Sequence, residues 1–344
     1  MLTLLFGLKT FMYIGKKENK AIFISGFIFP LFLFLISILN TRNIGLAING
    51  AYPGLFLLIV PVIAHFDIPL EKMFGIVMDM VIVLVVGCVI LDASGIVDIF
   101  KNPLLLAMYD ANELAVATKG AQYPVYWKIY MQAGVLLVLY ACYSYQHGRK
   151  KKCLLCGLTM LLSGSAANPI AWIICIFAMF IEKKEKIKLT PIFFICSICL
   201  MILYSVLPYL LTDSDMIIRA SALDAYGALF RNDSLKVLFG EGYGTEIYVA
   251  ARGELSITTE WSFFEMMRWY GLFGLIAFIA VLGYPLKRLI KAKRRWIVFG
   301  TAGFLTIAFT NPLLYTTTSM VVYILLYYEC FMEKRDMRLL WTEN

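Results

Sequence analysis

Residues 73–91 read MFGIVMDMVIVLVVGCVIL, from Met73 to Leu91, with one charge, Asp79. As a helix this stretch rises about 28 Å, close to the roughly 30 Å of hydrocarbon in a bilayer. Apolar side chains cover the whole circumference, as in a helix with no water-facing side. The segment therefore reads as a membrane span. A carboxylate in hydrocarbon costs a few kcal/mol, about 2.5–3.5 on insertion scales, so Asp79 must face a protein interior, a partner or a proton path. A protonated or hydrogen-bonded Asp at the interface and a proton-path residue both fit.

The same texture recurs outward from this segment. Further spans are predicted at 1–14, 21–39, 45–64, 129–146, 153–163, 169–182, 189–210, 269–286, 296–311 and 320–332. Hydrophobic residues make up 61% of the chain, charged residues 16%, and the mean hydropathy is +0.78, which excludes a soluble domain. No run of short alternating strands suggests a β-barrel. The fold class expected is all-α: a polytopic integral membrane protein of about 10–11 transmembrane helices, with a large external loop between late helices. The layout is N-terminal helices over 1–91, an external loop over 92–128, and central helices over 129–210. A large loop follows over 211–268, then C-terminal helices and a tail over 269–344. Within the central block, 153–182 must cross twice in little length. Two short helices or a re-entrant hairpin satisfy it.

Lysine and arginine set the orientation. One set of short connections carries 21 of them, including Arg149–Lys152, Lys183–Lys188 and Lys287–Arg295. The alternate set carries nine, spread over long loops. The first set belongs in the cytoplasm and 211–268 outside it. This distribution also explains the net charge of +8 without nucleic acid. Eight cysteines lie in or beside apolar segments and read as packing residues; Cys153 and Cys156 form a CxxC with no second pair. His65 and His147 fall on the basic face, so no histidine metal centre can form on the other.

The polar island Thr212–Arg268 holds five basic residues and nine carboxylates. Residues 214–231 read as an amphipathic helix, with Ser214 as N-cap, Asp215 in the first turn, and Ile218, Leu223, Tyr226 and Phe230 on one face. Asp215 and Arg219 are spaced for an i,i+4 pair; alternatively the Arg219 fork grips a phosphate. The string Asp213-Ser214-Asp215 resembles a metal-binding DxD, but helix capping accounts for it, and nucleotide sugars are absent outside the cytoplasm. The turn Gly240-Glu241-Gly242-Tyr243-Gly244 fits either an anion-binding concavity of backbone N–H groups or a plain flexible turn. Ser256–Tyr270 reads as a helix leading into the next span. Glu265 and Arg268 would pair within it, while Glu260, in its first turn, has no basic residue within four positions. Partial burial would suit Glu260 to general-base work; exposure there would leave it a dipole-stabilising first-turn residue.

These residues resemble the O-antigen polymerase (Wzy) family, within the O-antigen polymerase and ligase superfamily of bacterial inner membranes. The resemblance covers most of the chain, with ten or more spans and a late periplasmic loop. Leu161-Leu162-Ser163-Gly164-Ser165 is similar to the family's SGSR element, with Ala166 where Arg is usual. Arg219 to Leu223 fits RxxxL of ligases, and Arg231 with Gly242 fits R-x10-G of polymerases. Leu238–Gly244 and Trp269–Gly274 match the glycine-rich turn and the glycines opening the following span. Glu260 stands where ligases carry a histidine.

The resemblance implies a metal-independent membrane glycosyltransferase with no cofactor. It would polymerise repeat units carried on undecaprenyl diphosphate at the periplasmic face. Arg219 and Arg231 would hold the donor diphosphate, with Arg252, Gly240, Gly242, Tyr243 and Gly244 in substrate binding. Glu260 would be the base, with Glu241 and Glu254 in reserve. Expected partners are the undecaprenyl-diphosphate-linked oligosaccharide, membrane lipids, and a chain-length regulator and flippase of the same pathway. An O-antigen ligase and a lipid-linked oligosaccharide flippase are the alternatives.

Overall fold

A computed structural model describes residues 17–96, 115–119, 127–163, 165, 167–185 and 214–342. The spans expected at 1–14 and 189–210, most of the 92–128 loop, Asp213, Gly164 and Ala166 lie outside the described residues, as does the side chain of Asp215. The fold is mostly helical. Among the described residues, four helices are long and apolar enough to cross a membrane: Lys20–Thr41, Ile44–His65, Leu70–Ala93 and Ser262–Lys291. Two shorter apolar helices are Arg295–Phe309 and Thr317–Met332. The chain divides into two compact units, one of Met1–Ile68, Ile195–Ala292 and Ala308–Asn344, the other of Pro69–Phe194 and Lys293–Ile307.

The first unit begins with α1 (Lys17–Phe23), a π-helical segment Ile24–Ile28, and α2 (Phe29–Thr41). Arg42 closes α2 in a left-handed conformation, and Asn43 caps α3 (Ile44–Leu55) by accepting from Leu46 N at 3.1 Å. A 3-10 turn at Phe56–Ile59 leads into α4 (Val60–His65). Aromatic rings tie α2 to the later helices of this unit: Phe29, Phe278, Tyr315 and Tyr323 form a chain of ring contacts 5.8–6.4 Å apart. Such pairs contribute about 0.5–1.5 kcal/mol each beyond their buried area.

The second unit contains α5 (Leu70–Ala93), a hairpin of β1 (Ala115–Lys119) and β2 (Trp127–Met131), and three helices: α6 (Leu137–Gln146), α7 (Lys150–Leu161) and α8 (Ala167–Glu185). The expected helical span at 129–146 is corrected here, since only 137–146 is α-helix. Residues 127–131 instead pair antiparallel with 115–119, Ile129 inward, and a 3-10 turn intervenes. Asp79, at mid-α5, is answered by hydrogen bonds from Tyr140 Oη at 2.8 Å and Lys152 Nζ at 2.5 Å. That is the hydrogen-bonded alternative, with a cation 73 residues away as partner. Of residues 153–182, 153–161 lie in α7 and 167–182 in α8. Asn168 Nδ2 donates to Ser163 Oγ at 2.8 Å, fixing the turn.

The large loop belongs to the first unit and folds as α9 (Ser214–Asn232), α10 (Ser234–Phe239), and a hairpin of β3 (Ile247–Val249) and β4 (Glu254–Ser256). It runs into α11 (Ser262–Lys291); α12 (Arg295–Phe309) follows, its residues through Ile307 belonging to the second unit, and α13 (Thr317–Thr342) returns to the first. The two hairpins make the chain helical with small β elements rather than purely α. The helix expected over 256–270 starts only at Ser262: the β-branched run Ile257-Thr258-Thr259, poor in helix propensity, forms an irregular loop after β4, which places Glu260 ahead of the helix. Inside α11, Gly271 breaks the helical path at φ 69°, ψ −176°. Residues 262–270 are therefore a separate short helix joined to the apolar stretch at an angle.

Candidate functional site

Glu260 and Arg219 come together. Arg219 Nε donates to Glu260 Oε2 across 41 residues of sequence. The pairing follows from how two elements are pinned. The apolar face of α9 packs Ala222 and Tyr226 against Val249, Trp261 and Phe309. Trp261 is fully buried, its ring edge-on to Phe309 at 5.5 Å, and its Nε1 donates to the Arg219 carbonyl at 3.1 Å. One aromatic residue therefore fixes both the backbone that carries Arg219 and the residue next to Glu260.

Beneath this pair lies a buried polar network. Glu265 and Arg268, 2% and 0% exposed, form an ion pair at 2.6 Å. Arg268 also donates to the carbonyls of Thr245 and Ile257, both at 2.6 Å, and lies over the Trp269 ring. Glu265 Oε1 accepts from Thr259 N at 2.7 Å and from Tyr226 Oη. With that proton committed, Tyr226 accepts from Thr259 Oγ1 at 2.7 Å. Burial, then the charge of Glu265 and its hydrogen bond, push the Tyr226 phenol well above its ordinary range, so it stays a donor. The expected Glu265–Arg268 pair is thus present, and it anchors the 257–260 loop.

Arg252, exposed at the tip of the β3–β4 hairpin, lines the same cleft as Ile218, Arg219, Thr259, Glu260 and Trp261. The cleft is small, with about 10 Å³ of free space, about the minimum for one water. A larger group must displace lining side chains to enter.

The other expected site residues are placed elsewhere. Arg231 lies three turns along α9 from Arg219, about 18 Å of helical rise. It is exposed, and its Nε donates to Gly227 O at 3.0 Å in its own helix. Arg219 and Arg231 are therefore not gathered on one small anion. The glycine turn does not present an anion nest. Gly240 N donates to Lys236 O, Glu241 N to Arg268 O, Gly242 N to Trp269 O, and Tyr243 N to Ser37 Oγ, at 2.7–3.2 Å. Gly240, Gly242 and Gly244 have φ of 76°, 89° and 81°, a backbone region that favours glycine. Tyr243 packs on Trp269, ring centroids 4.7 Å apart. Glu241 is paired with Lys236 at 2.8 Å, and Glu254 is exposed on β4.

Local spacing had given Glu260 no cation, because its partner is distant in sequence. It also missed Tyr226, Thr259 and Trp261 as positioning groups. Tyr226 counted only toward the apolar face of α9, and no local signal marks its hydroxyl as buried. No protein-family model, curated protein or solved structure matches the chain.

Proposed function

We propose that the chain is a multi-pass membrane glycosyltransferase that polymerises lipid-linked repeat units of a surface glycan at the outer face of the bacterial inner membrane. The observation that carries the reading is the meeting of Arg219, Arg252 and Glu260 at one cleft, from three different elements. Four helices of spanning length and the crowding of basic residues in short connections support the membrane setting and orientation.

In this reading the diphosphate of the donor lipid competes for the guanidinium of Arg219, with Arg252 closing from the hairpin tip. The guanidinium moves from carboxylate to phosphate, which it can grip bidentately. Glu260, released, accepts the proton of the acceptor sugar hydroxyl. That oxygen bonds to the anomeric carbon opposite the leaving group, and the glycosidic bond to undecaprenyl diphosphate breaks. Arg219 and Arg252 offset the charge growing on the departing diphosphate. Losing one such donor costs about 10²–10³ in rate.

The test is the glycan profile of a strain lacking the chain, complemented with parent, Arg219→Ala or Glu260→Gln. Polymerase activity requires single lipid-linked repeat units on the outer face in the deletion and in both variants. Full polymer left unattached to lipid A core would make the chain a ligase; repeat units retained on the inner face would make it a flippase. Normal polymer laddering in both variants would overturn the site.

A further inference from the structure

A cavity of about 560 Å³, sharing no lining residue with the Arg219 cleft, lies between the start of the first long helix and the second half of α11. This is within the roughly 300–1,000 Å³ of typical small-molecule sites. Its walls are almost wholly apolar: Ile24, Ile28, Phe29 and Phe32 on one side, Ala277, Ala280 and Val281 on the other. The small Ala277 and Ala280 open the groove. The π segment Ile24–Ile28, closed by Phe29 N donating to Ile24 O, forms its opposite wall; such bulges recur at functional sites. Ser25 is already engaged with Tyr327, whose hydroxyl donates to Val281 O.

Charge sits at one end. Lys20 lines the groove there and is exposed. On α11 the lining residues Ala277, Ala280 and Tyr284 are spaced three and four apart. Lys287, also exposed, continues that face one turn beyond. From Lys20 to Phe32 the wall rises about 18 Å, a little over half the roughly 30 Å hydrocarbon thickness, hence the depth of one leaflet.

We propose that this groove binds one anionic phospholipid of the leaflet on the lysine side, an acyl chain against Ile24, Phe32 and Ala280 and the phosphate between Lys20 and Lys287. Apolar length, one-leaflet depth and a basic mouth together select a lipid with a negatively charged headgroup. The site rests on the membrane reading of these helices but not on the glycosyl transfer.

The experiment uses the full chain in phosphatidylcholine nanodiscs doped with phosphatidylglycerol carrying a diazirine in one acyl chain. Crosslinked peptides are mapped by mass spectrometry. The lipid-exposed Ile76 and Val83 of α5 report bulk lipid contact. Labelling concentrated at 20–32 and 277–284 is expected. It should fall about fivefold for each of Lys20→Gln and Lys287→Gln, and be blocked by Ala280→Trp, which fills the groove. α5 labelling should stay constant throughout. Groove labelling no stronger than that of α5, or equal labelling by a phosphatidylcholine probe, overturns the site while leaving the membrane reading intact. No labelling anywhere overturns both.

Discussion

Replacing Glu265 by glutamine keeps the shape of the side chain and removes its charge, so it isolates the buried ion pair. Arg268 is 0% exposed and would then hold an uncompensated positive charge, with no carboxylate facing it and only neutral acceptors, the carbonyls of Thr245 and Ile257 and the Thr245 hydroxyl, among the described residues. Breaking one side of such a pair costs about 3–5 kcal/mol, most of it the penalty on the charge left behind. At about 2 °C per kcal/mol for a chain of this size, the midpoint of thermal unfolding should fall by roughly 6–10 °C. The assay is tryptophan fluorescence of the detergent-solubilised protein on heating, with Lys236→Met as the comparison. That variant breaks a pair whose lysine side chain is 42% exposed, and exposed pairs contribute about 0–1 kcal/mol. Because Glu265 accepts from Thr259 N, Glu265→Gln should also lower the proposed glycan transfer in reconstituted protein below its melting range. A variant that melts within a degree of the parent would show that the network is not a buried anchor. The account of how Glu260 is held would then fail.

Gly271 and Gly240 both occupy a backbone region open almost only to glycine, at φ 69° and 76° with ψ near 180°. A Cβ at Gly271 would stand 2.1 Å from Leu238 O. Gly271→Ala should cost at least about 1–3 kcal/mol from the backbone alone and reduce folded yield in size-exclusion profiles; a parental profile would contradict the seam. Arg231→Ala should retain most polymer length, while Arg219→Ala loses transfer by about 10²–10³. Equal loss in both would restore Arg231 to the site. The hydrogen bond to Glu241 holds the Lys236 ammonium above its ordinary range. A raised folded value stabilises below the unfolded lysine value near ~10.4 and is lost as pH rises beyond it. The melting difference between parent and Lys236→Met should therefore shrink from neutral to strongly alkaline pH.

The long apolar helices were legible because nothing competes with the signal. Residues 21–39, 45–64 and 73–91 differ from the helices 20–41, 44–65 and 70–93 by one to three residues at an end. The failures have local causes. Trp127-Lys128-Ile129-Tyr130-Met131 is apolar enough to extend a span, yet it is β-branched and aromatic, and a partner strand at 115–119 claims it. Ser256 to Glu260 looked helical only because a helix follows. The i,i+3 pair of Glu265 and Arg268 could be read from spacing alone, whereas the Arg219–Glu260 contact depends on Trp261 docking α9 against the loop. Short-range rules cannot see such a contact. The glycine turn was recognisable as special, but whether its N–H groups face outward depended on α11 lying against it.

The contact between the 238–242 strand of backbone and the kink of α11 has a further consequence. It is made of main-chain hydrogen bonds, Glu241 N to Arg268 O and Gly242 N to Trp269 O, with glycines at both points of closest approach. Such a seam encodes no side-chain preference beyond those glycines. Related chains could exchange the exposed residues of the β3–β4 hairpin, such as Tyr248 and Leu255, which stand opposed, without disturbing the frame, while Val249 stays fixed in the cluster under α9. Variation in what the protein recognises would then collect on that hairpin. A chain bearing a side chain at 240 or 271 would have had to rebuild both together.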